Sequence, residues 1–329
     1  MTEPIVGITM GDPAGIGAEV ITAAWPDLDA RPLVIGDADA VRAGVRAVGA
    51  ALDVRAVEDV AGARFAPGTV DVLDLDNVEE VEYGVVREAY GRASLAYVER
   101  AIDLALEGTI DAITTAPINK QATRLAGAEH AGHTGLLAER TGTEHYSMML
   151  IEEPLRVTHV STHVPLRAAI ERATAGAVHD TIAVTDDALR ELGVDEPRIA
   201  VAGLNPHASD GGLLGGEEAE EIEPGIERAR EAGIDAVGPA SPDTVFARAA
   251  GGEADCVVAM YHDQGHIPIK MLGFESEGVS GVNMTIGLPI VRTSVDHGTA
   301  FDIAGEGVAS PASLIDAVAV AARVARERG

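Results

Sequence analysis

PIVGITMGDPAGIGAEVITAAW, residues 4–25, sets the pattern of the fold: an apolar run from Pro4 to Met10, a glycine-rich turn, and a helix from Ala18 to Trp25. A second apolar run, PLVIG from Pro32 to Gly36, is followed by an alanine-rich segment that starts at Asp37. Short buried strands that alternate with helices predict an α/β architecture with much parallel sheet. The length of 329 residues favours two α/β lobes with a central cleft.

The same alternation continues to the end of the chain. We expect the polar loops that follow the strands to carry the chemistry, because ligands in such folds bind at the carboxyl ends of parallel strands. The further predicted elements are a helix over about 83–106, a strand over 111–117, strands over 147–151 and 156–161, a helix over 175–192, strands that run into loops over 198–207 and 255–265, and a last helix over 311–328.

The turn GDPAGIG, residues 11–17, does not predict a dinucleotide-binding fingerprint. Gly15 and Gly17 could be its first two glycines, but the third position falls on Val20. The turn indicates only that the backbone bends tightly or approaches something closely. We therefore predict no Rossmann domain, and the residues that bind a cofactor stay unassigned.

Composition excludes several classes of partner. The 53 acidic and 24 basic side chains give a net charge of -29, which repels nucleic acid and anionic membranes. The acids are spread along the chain, as in proteins adapted to high salt, and the glutamates of 217–223 are expected to form a solvated helix face. With Cys256 as the single cysteine, no signal peptide and no apolar run of about 18 residues, we expect a cytoplasmic protein without a membrane span.

Three of the ten histidines follow strand-like runs. They are His163 in STHVPL, His207 in LNPHASDGG and His262 in MYHDQGH, and each is predicted to begin a polar loop. Three neutral imidazoles can hold a divalent transition metal and leave positions open for a substrate. His159 and His266 lie nearby and could substitute, although His159 falls within a strand and favours a buried structural role.

Cations and amides form a second candidate group, suited to phosphate or carboxylate. Only two of the 24 basic residues are lysines, Lys120 and Lys270, and both lie in motif-rich segments, where a compact ammonium would do what a guanidinium cannot. Asp243 and Asp263 are candidate general bases or partners of the histidines, and Asp243 could equally be a helix N-cap. The anion-binding candidates are Asn119, Lys120, His133, Thr134, Lys270, Asn283 and Arg292.

Taken together, the segments GITMGDPAGIGAEV, TAPINK, GHTG, THVPL, LNPHASDGG, GPASPDT, YHDQGHIPIK and GVNMTIGLPIVRTSVDHGTAFDIAG resemble the 4-hydroxythreonine-4-phosphate dehydrogenase family. They cover essentially the whole chain in the family's order. The resemblance implies an isopropylmalate-dehydrogenase-like fold, a homodimer whose active site is completed across the interface, NAD, and one divalent metal ion (Zn, Mg, Mn or Co). It places the metal on His163, His207 and His262.

The resemblance also implies the reaction. It predicts NAD- and metal-dependent oxidation, with decarboxylation, of 4-phosphooxy-threonine in pyridoxine biosynthesis, or of a similar small phosphorylated hydroxy acid. The catalytic candidates are Asp243, Asp263 and Lys270, and the substrate contacts implied are His133, Thr134, Lys270, Asn283 and Arg292. We place one lobe over residues 1–130 and 286–329 and the other over 131–285.

The chain departs from the family pattern at several points. Gly135 replaces the usual glutamate after GHT, Ala18 replaces the usual proline of GIGPE, and the segment between Lys270 and Asn283 is longer. GHIPIK and TAFDIAG resemble a second branch that acts on D-threonate and D-erythronate 4-phosphates, which is the first alternative function. A metal-dependent aldolase or hydrolase on the same histidines is the second alternative, and a non-catalytic binding protein is the third.

Overall fold

The computed structural model describes residues 3–130, 132–275 and 281–329. The strands are β1 (Ile5–Thr9), β2 (Arg31–Gly36), β3 (Asp53–Val57), β4 (Thr69–Asp74), β5 (Ala112–Thr115), β6 (Ser147–Glu152), β7 (Leu155–His159), β8 (Arg198–Ala202), β9 (Asp235–Ala240), β10 (Cys256–Ala259), β11 (Val282–Ile286) and β12 (Val291–Val295). The helices are α1 (Gly17–Ala24), α2 (Ala38–Val48), α3 (Glu88–Leu106), α4 (Lys120–Leu125), α5 (His133–Thr141), α6 (Leu166–Arg172), α7 (Ala175–Glu191), α8 (Glu223–Glu231), α9 (Val245–Ala250), α10 (His262–Glu275) and α11 (Ala312–Arg328).

Two units divide the chain. The first contains Met1–Gly142, Gly278–Val282 and Leu288–Gly329, and the second contains Thr143–Glu277 and Asn283–Gly287. The first boundary therefore lies at Gly142, twelve residues after the position predicted from the sequence. Helix α5, which carries His133 and Thr134, belongs to the first unit for this reason.

The first unit is built on a parallel sheet in the order β3-β4-β2-β1-β5-β12. Its central strands are apolar and fully buried, as Ile8, Ile35 and Ile113 show. Such runs are typical of parallel strands covered on both faces. Helices α3 and α11 both pack against β1 and β5. This arrangement confirms the predicted α/β class.

The second unit has a sheet in the order β11-β6-β7-β10-β8-β9. Strands β7, β10, β8 and β9 run parallel, whereas β6 and β7 form an antiparallel pair. A cluster that includes Leu150, Val157, Phe246 and Val257 forms the apolar core of this unit. Consequently the carboxyl ends of β7, β10 and β8 lie side by side at one edge of the sheet.

The structure corrects two of the predicted elements. The helix expected from about residue 83 begins at Glu88, because Gly84 has a left-handed φ of 73° and cannot continue a right-handed helix. The loop expected at the end of 255–265 is instead the start of α10, so His262 and Asp263 lie in its first turn. Gly265 and Pro268, which favoured a loop, are both inside this helix. No described helix is both long and apolar enough to cross a membrane.

Candidate functional site

The three candidate metal histidines follow the carboxyl ends of three adjacent parallel strands. His163 follows β7, His262 follows β10 and His207 follows β8, and β10 pairs with both of the others. The side-chain amide of Gln264 donates to the carbonyl of Gly203 at 2.8 Å and so joins the start of α10 to the loop after β8. The order of the strands thus brings the three loops to one edge.

His262 and His163 lie closest together. Their ring centroids are 5.4 Å apart. Nδ1 of His262 lies 2.7 Å from Oδ1 of Asp263. Because a carboxylate can only accept, Nδ1 carries the proton, and the lone pair of the neutral imidazole is on Nε2. Asp263 therefore selects the tautomer of His262 that could bind a metal through Nε2.

His207 has a similar carboxylate neighbour. Its Nδ1 lies 3.7 Å from Oδ2 of Asp243, and Oδ1 of Asp243 accepts a hydrogen bond from Ser241 Oγ at 2.7 Å. The hydrogen bond from Ser241 lowers the pKa of Asp243. An ionised Asp243 would favour the same Nδ1–H tautomer in His207, so both aspartates have positions suited to orienting a histidine.

Left-handed backbone is concentrated at these loops. His163 has a φ of 51°, and the run from His207 to Asp210 has φ values of 55°, 54°, 64° and 48°. Non-glycine residues in this conformation cost about 1–3 kcal/mol each when strained, and they cluster at functional sites where the surroundings hold them in place. The loop that carries His207 therefore needs support from elsewhere.

That support comes from a glutamate that the sequence placed on a solvated helix face. Glu218 is instead 1% exposed. Its Oε1 accepts from the backbone N–H groups of Leu204 and Asn205 at 2.8 and 2.7 Å, and its Oε2 accepts from the Asn205 side chain at 2.9 Å. The prediction for the acidic run was wrong at this position because long-range hydrogen bonds fix Glu218 beneath the loop of His207.

The donor chemistry at this edge fits a divalent cation. Two imidazoles that share one ion through bonds of about 2.1 Å have ring centres roughly 5 Å apart, close to the separation of His163 and His262. The only thiol, Cys256, is fully buried, and burial raises its pKa to about 12, so it offers no thiolate. Within the described ranges, no group of three His, Cys, Asp or Glu side chains is arranged to hold a metal ion. The three-histidine site thus stays a prediction.

Two further histidines adjoin His262. His266 stacks on the His262 ring with centroids 3.6 Å apart and planes 13° apart, and its Nδ1 lies 3.2 Å from Nε2 of His159. His159 is 3% exposed, and burial, with the neighbouring imidazoles, lowers its pKa to about 3. The structural role expected for His159 agrees with this burial. The contact of His266 with His262 was not predicted, because GHIP is typical of a loop.

In the first unit, His133 lies within the electrostatic influence of two cations, Arg292 and Lys120. Arg292 is 3% exposed on β12 and donates to Thr115 Oγ1 at 2.6 Å. Burial lowers the pKa of Arg292 to about 9, so it remains charged at neutral pH. Burial, with the charges of Arg292 and Lys120, holds the pKa of His133 well below its usual value, so His133 is neutral. Its buried Nε2 has no hydrogen-bond partner among the described residues.

The other candidate anion-binding residues of the first unit lie at the starts of helices rather than in loops. His133 and Thr134 begin α5, and Lys120 begins α4. The side chain of Asn119 caps α4 by accepting from the backbone N–H groups of Gln121 and Ala122 at 2.9 and 3.0 Å. These hydrogen bonds give Asn119 a structural role in addition to the anion contact predicted for it.

Gly135 stands where the family usually has glutamate, and the neighbouring side chain of His130 leaves no space for a side chain there. A Cβ at this position would lie 2.7 Å from Nδ1 of His130, which is closer than real Cβ contacts. Nε2 of His130 lies 2.6 Å from Oε2 of Glu139, and this contact holds the ring over Gly135. The imidazole of His130 thus fills the space that a side chain at position 135 would need, next to His133 and Thr134.

The remaining candidates lie on α10 and β11. Lys270 is two turns after His262 on α10, so both project from the same broad side of the helix. Asn283 is on β11, and its side-chain amide donates to the sulfur of Met148 at 2.8 Å. Both residues belong to the second unit, and their predicted contacts with substrate remain predictions.

The glycine-rich turn after β1 packs against the protein's own backbone. A Cβ at Gly11 would overlap the carbonyl oxygen of Pro117, and one at Gly17 would overlap that of Met10. The close approach predicted for this turn is therefore confirmed, and the backbone it approaches is that of Pro117 and Met10. Asp12 of the same turn is 1% exposed, and burial raises its pKa to about 6. Nothing in the sequence pattern pointed to Asp12.

Comparison with known proteins gives a consistent family. The model of the pyridoxal phosphate biosynthetic protein PdxA matches residues 29–321. A D-threonate 4-phosphate dehydrogenase of Cupriavidus necator is 47% identical over 331 residues, which covers 99% of this chain and 98% of that protein. A 4-hydroxythreonine-4-phosphate dehydrogenase of Desulforapulum autotrophicum is 45% identical and covers 97% and 95% of the two chains.

A solved structure agrees with these relatives. The crystal structure of a 4-hydroxythreonine-4-phosphate dehydrogenase from Burkholderia phymatum superposes with a TM-score of 0.85 and 45% identity, over 98% of this chain and 99% of that chain. Both the sequence and the fold therefore match over nearly the full length. This protein belongs to the PdxA family, whose named relatives are dehydrogenases.

Proposed function

We propose that this protein oxidises a four-carbon hydroxy acid 4-phosphate, with NAD as the hydride acceptor and one divalent metal ion held by His163, His207 and His262. The observation that carries the proposal is the edge of the second unit, where each of three adjacent parallel strands is followed within five residues by one of these histidines. Relatives named as dehydrogenases of two such phosphates, matched over almost the whole chain, support the same reaction class.

D-Threonate 4-phosphate is the first substrate candidate, and 4-hydroxythreonine 4-phosphate is the second. Relatives named for the first from Cupriavidus necator and Salmonella typhimurium are each 47% identical to this chain. The relative from Desulforapulum autotrophicum that is named for the second is 45% identical. The GHIPIK segment, which contains His266, also favours the sugar-acid branch, and D-erythronate 4-phosphate belongs to the same test.

The metal would supply Lewis-acid chemistry by lowering the pKa of the substrate hydroxyl from which the proton is lost. Asp263, and Asp243 at a longer distance, would keep the imidazoles of His262 and His207 in the tautomer that offers Nε2. Asp243, Asp263 and Lys270 remain the candidates for moving the proton of the hydroxyl. NAD would take up the hydride, and no residues are assigned to it.

The charged ends of the substrate need fixed donors. Arg292 supplies a permanent charge in a buried position, where its attraction for phosphate or carboxylate is screened little by solvent. His133 is neutral, so it would bind by hydrogen bonding through its Nε2. We propose that Thr134, Lys270 and Asn283 complete the contacts. We also propose that the protein is a cytoplasmic homodimer whose partner subunit completes the active site.

The test measures NAD reduction at high salt with added Mn²⁺, Zn²⁺, Mg²⁺ or Co²⁺, using the three 4-phosphates in parallel. We expect turnover of D-threonate 4-phosphate that a chelator abolishes and that returns when metal is restored. Turnover of 4-hydroxythreonine 4-phosphate alone would instead indicate vitamin B6 synthesis. Bound metal without turnover of any of the three would favour the aldolase or hydrolase alternative.

A His207→Ala variant tests the metal centre directly. We expect turnover to fall by at least about 100-fold, because an incomplete ligand set binds and activates the ion poorly. Far-UV circular dichroism should stay unchanged, since His207 lies on an exposed turn rather than in the core. Full activity with full metal content in this variant would disprove the assignment.

A further inference from the structure

His262 and His266 lie one helical turn apart on α10. Side chains at this spacing meet on the same side of a helix, and here the two imidazoles are stacked, with centroids 3.6 Å apart and planes 13° apart. This separation is a van der Waals contact between flat rings. The ring of His262 therefore cannot rotate toward His266 without displacing it.

His266 is itself held from its other side. Its Nδ1 lies 3.1 Å from the carbonyl oxygen of His262 and 3.2 Å from Nε2 of His159. Because the carbonyl can only accept, the proton is on Nδ1 of His266. Nε2 of His159 is then the second acceptor, and one N–H group serves both.

The anchor at His159 is part of the sheet. His159 is the last residue of β7, pairs with Ala259 of β10 and is 3% exposed. Helix α10 comes close enough to reach it only because residue 265 is glycine. A Cβ there would overlap Nε2 of His159 and lie 2.6 Å from Cγ1 of Val157. The stack on His262 is therefore built on a fixed part of the core.

We propose that His266 is a positioning residue for the metal centre, and that it fixes the plane of the His262 ring. Asp263 selects which nitrogen of His262 carries the proton, whereas His266 determines the direction in which the other nitrogen points. The inference rests on the proposed metal site. It adds the pair His159–His266 to the residues that prepare this site for a divalent cation.

Three variants of the full-length protein test the proposal. His266→Ala removes both the stacked ring and the hydrogen bond. His266→Phe keeps a stacked ring but cannot donate to His159. His179→Ala, on α7, is the matched control because it removes another half-buried histidine of the same unit. For each protein, Co²⁺ is titrated into the metal-free form, and the dissociation constant and visible absorption spectrum are recorded together with the melting temperature without metal.

We expect His266→Ala to weaken Co²⁺ binding by about 10-fold or more and to change the spectrum, as is common when a residue that supports a ligand is lost. The phenylalanine variant should weaken Co²⁺ binding by only about threefold, because the stacked ring is retained although its hydrogen bond to His159 is lost. The control should bind as the wild type does. A purely structural role would lower the melting temperature of the His266 variants and leave the dissociation constant unchanged.

The outcomes separate this inference from the proposed function. If the wild type binds Co²⁺ and His266→Ala binds it equally well with the same spectrum, the positioning role is wrong and the metal site stands. If the phenylalanine variant binds as weakly as the alanine variant, the stacked ring does not position His262 and the proposal fails. If the wild type binds no metal at all, the proposed metal centre and this inference fall together.

Discussion

His262 and His207 are prepared for the same predicted role by different means. His262 lies in the first turn of a helix, is stacked on His266 and has a carboxylate on its Nδ1. His207 lies in a turn whose backbone is left-handed from His207 to Asp210, and its ring is 65% exposed. One ligand candidate is held by regular structure, whereas the other is held in a conformation that its own residues disfavour.

The difference shows which parts of the fold hold each histidine in place before a metal ion binds. His262 belongs to a regular helix, so its backbone carries no left-handed strain, and its support can come from side-chain contacts with Asp263 and His266. The left-handed turn of His207 has local backbone hydrogen bonds, such as the one from Ala208 N–H to the carbonyl of Asn205, but its non-glycine residues carry a conformational cost. Further support from another part of the fold offsets that cost. In this protein that part is Glu218, which is buried and accepts three hydrogen bonds from the residues just before His207. We therefore expect the two supports to fail differently when they are altered.

The largest effect is expected for Glu218→Ala. Removal of this carboxylate leaves the part-buried backbone N–H groups of Leu204 and Asn205 without their acceptor, at a cost of about 1–3 kcal/mol for each donor that water does not reach. We expect the free energy of unfolding in urea to fall by about 3 kcal/mol. Binding of Co²⁺ should be weakened severely because His207 loses its position.

Glu220→Gln is the matched control, since Glu220 belongs to the same acidic run but is exposed. It should change the free energy of unfolding by less than about 0.5 kcal/mol, as is usual at such positions. If Glu218→Ala lowers stability and leaves Co²⁺ binding intact, the loop of His207 does not depend on this carboxylate and the contrast between the two histidines fails.

The candidate metal ligands, which lie just after the ends of strands, could be predicted from the sequence. The apolar runs and the polar residues after them locate His163, His207 and His262, because each feature is local in the chain. The support of Glu218 could not be predicted, since a glutamate among glutamates has the composition of a solvated face. Its role depends on hydrogen bonds to residues more than ten positions away.

The error at α10 has a different physical origin. The sequence pattern predicts a strand that runs into a loop over 255–265, and Gly265 and Pro268 both disfavour a helix interior. The structure retains the helix because the glycine permits close packing of α10 against β7, a tertiary effect that outweighs propensity. The contact between His266 and His159 could therefore not be predicted from the local sequence. The same holds for the His130 ring, which fills the space beside Gly135.

An intermediate effect is expected for Gly265→Ala, which tests the helix-held histidine. Alanine gains about 1 kcal/mol in helix propensity, but its Cβ overlaps Nε2 of His159, and overpacking typically costs 1–3 kcal/mol. We expect a net loss of up to about 2 kcal/mol in the free energy of unfolding, together with weaker Co²⁺ binding as α10 shifts away from β7.

Gly176→Ala on α7 provides the comparison, because a Cβ there has no atom within 4 Å. It should be neutral or stabilise the protein by up to about 1 kcal/mol. Equal effects of the two substitutions on unfolding and on Co²⁺ binding would show that the close contact at Gly265 is relieved without cost, and that α10 is not fixed by it.

The smallest effect is expected for Ala208→Gly, within the left-handed run. Ala208 has φ 54° and ψ 56°, where glycine avoids a steric cost of about 1–2 kcal/mol but loses more conformational entropy on folding, by about 0.5–1 kcal/mol. We expect stabilisation by about 0.5 kcal/mol in urea unfolding. Ala183→Gly, inside helix α7, should instead destabilise by about 1 kcal/mol. If Ala208→Gly raises the free energy of unfolding and Ala183→Gly lowers it, the turn of His207 stores strain. If both substitutions lower it, the conformation of the turn is favourable for alanine and needs no support from Glu218.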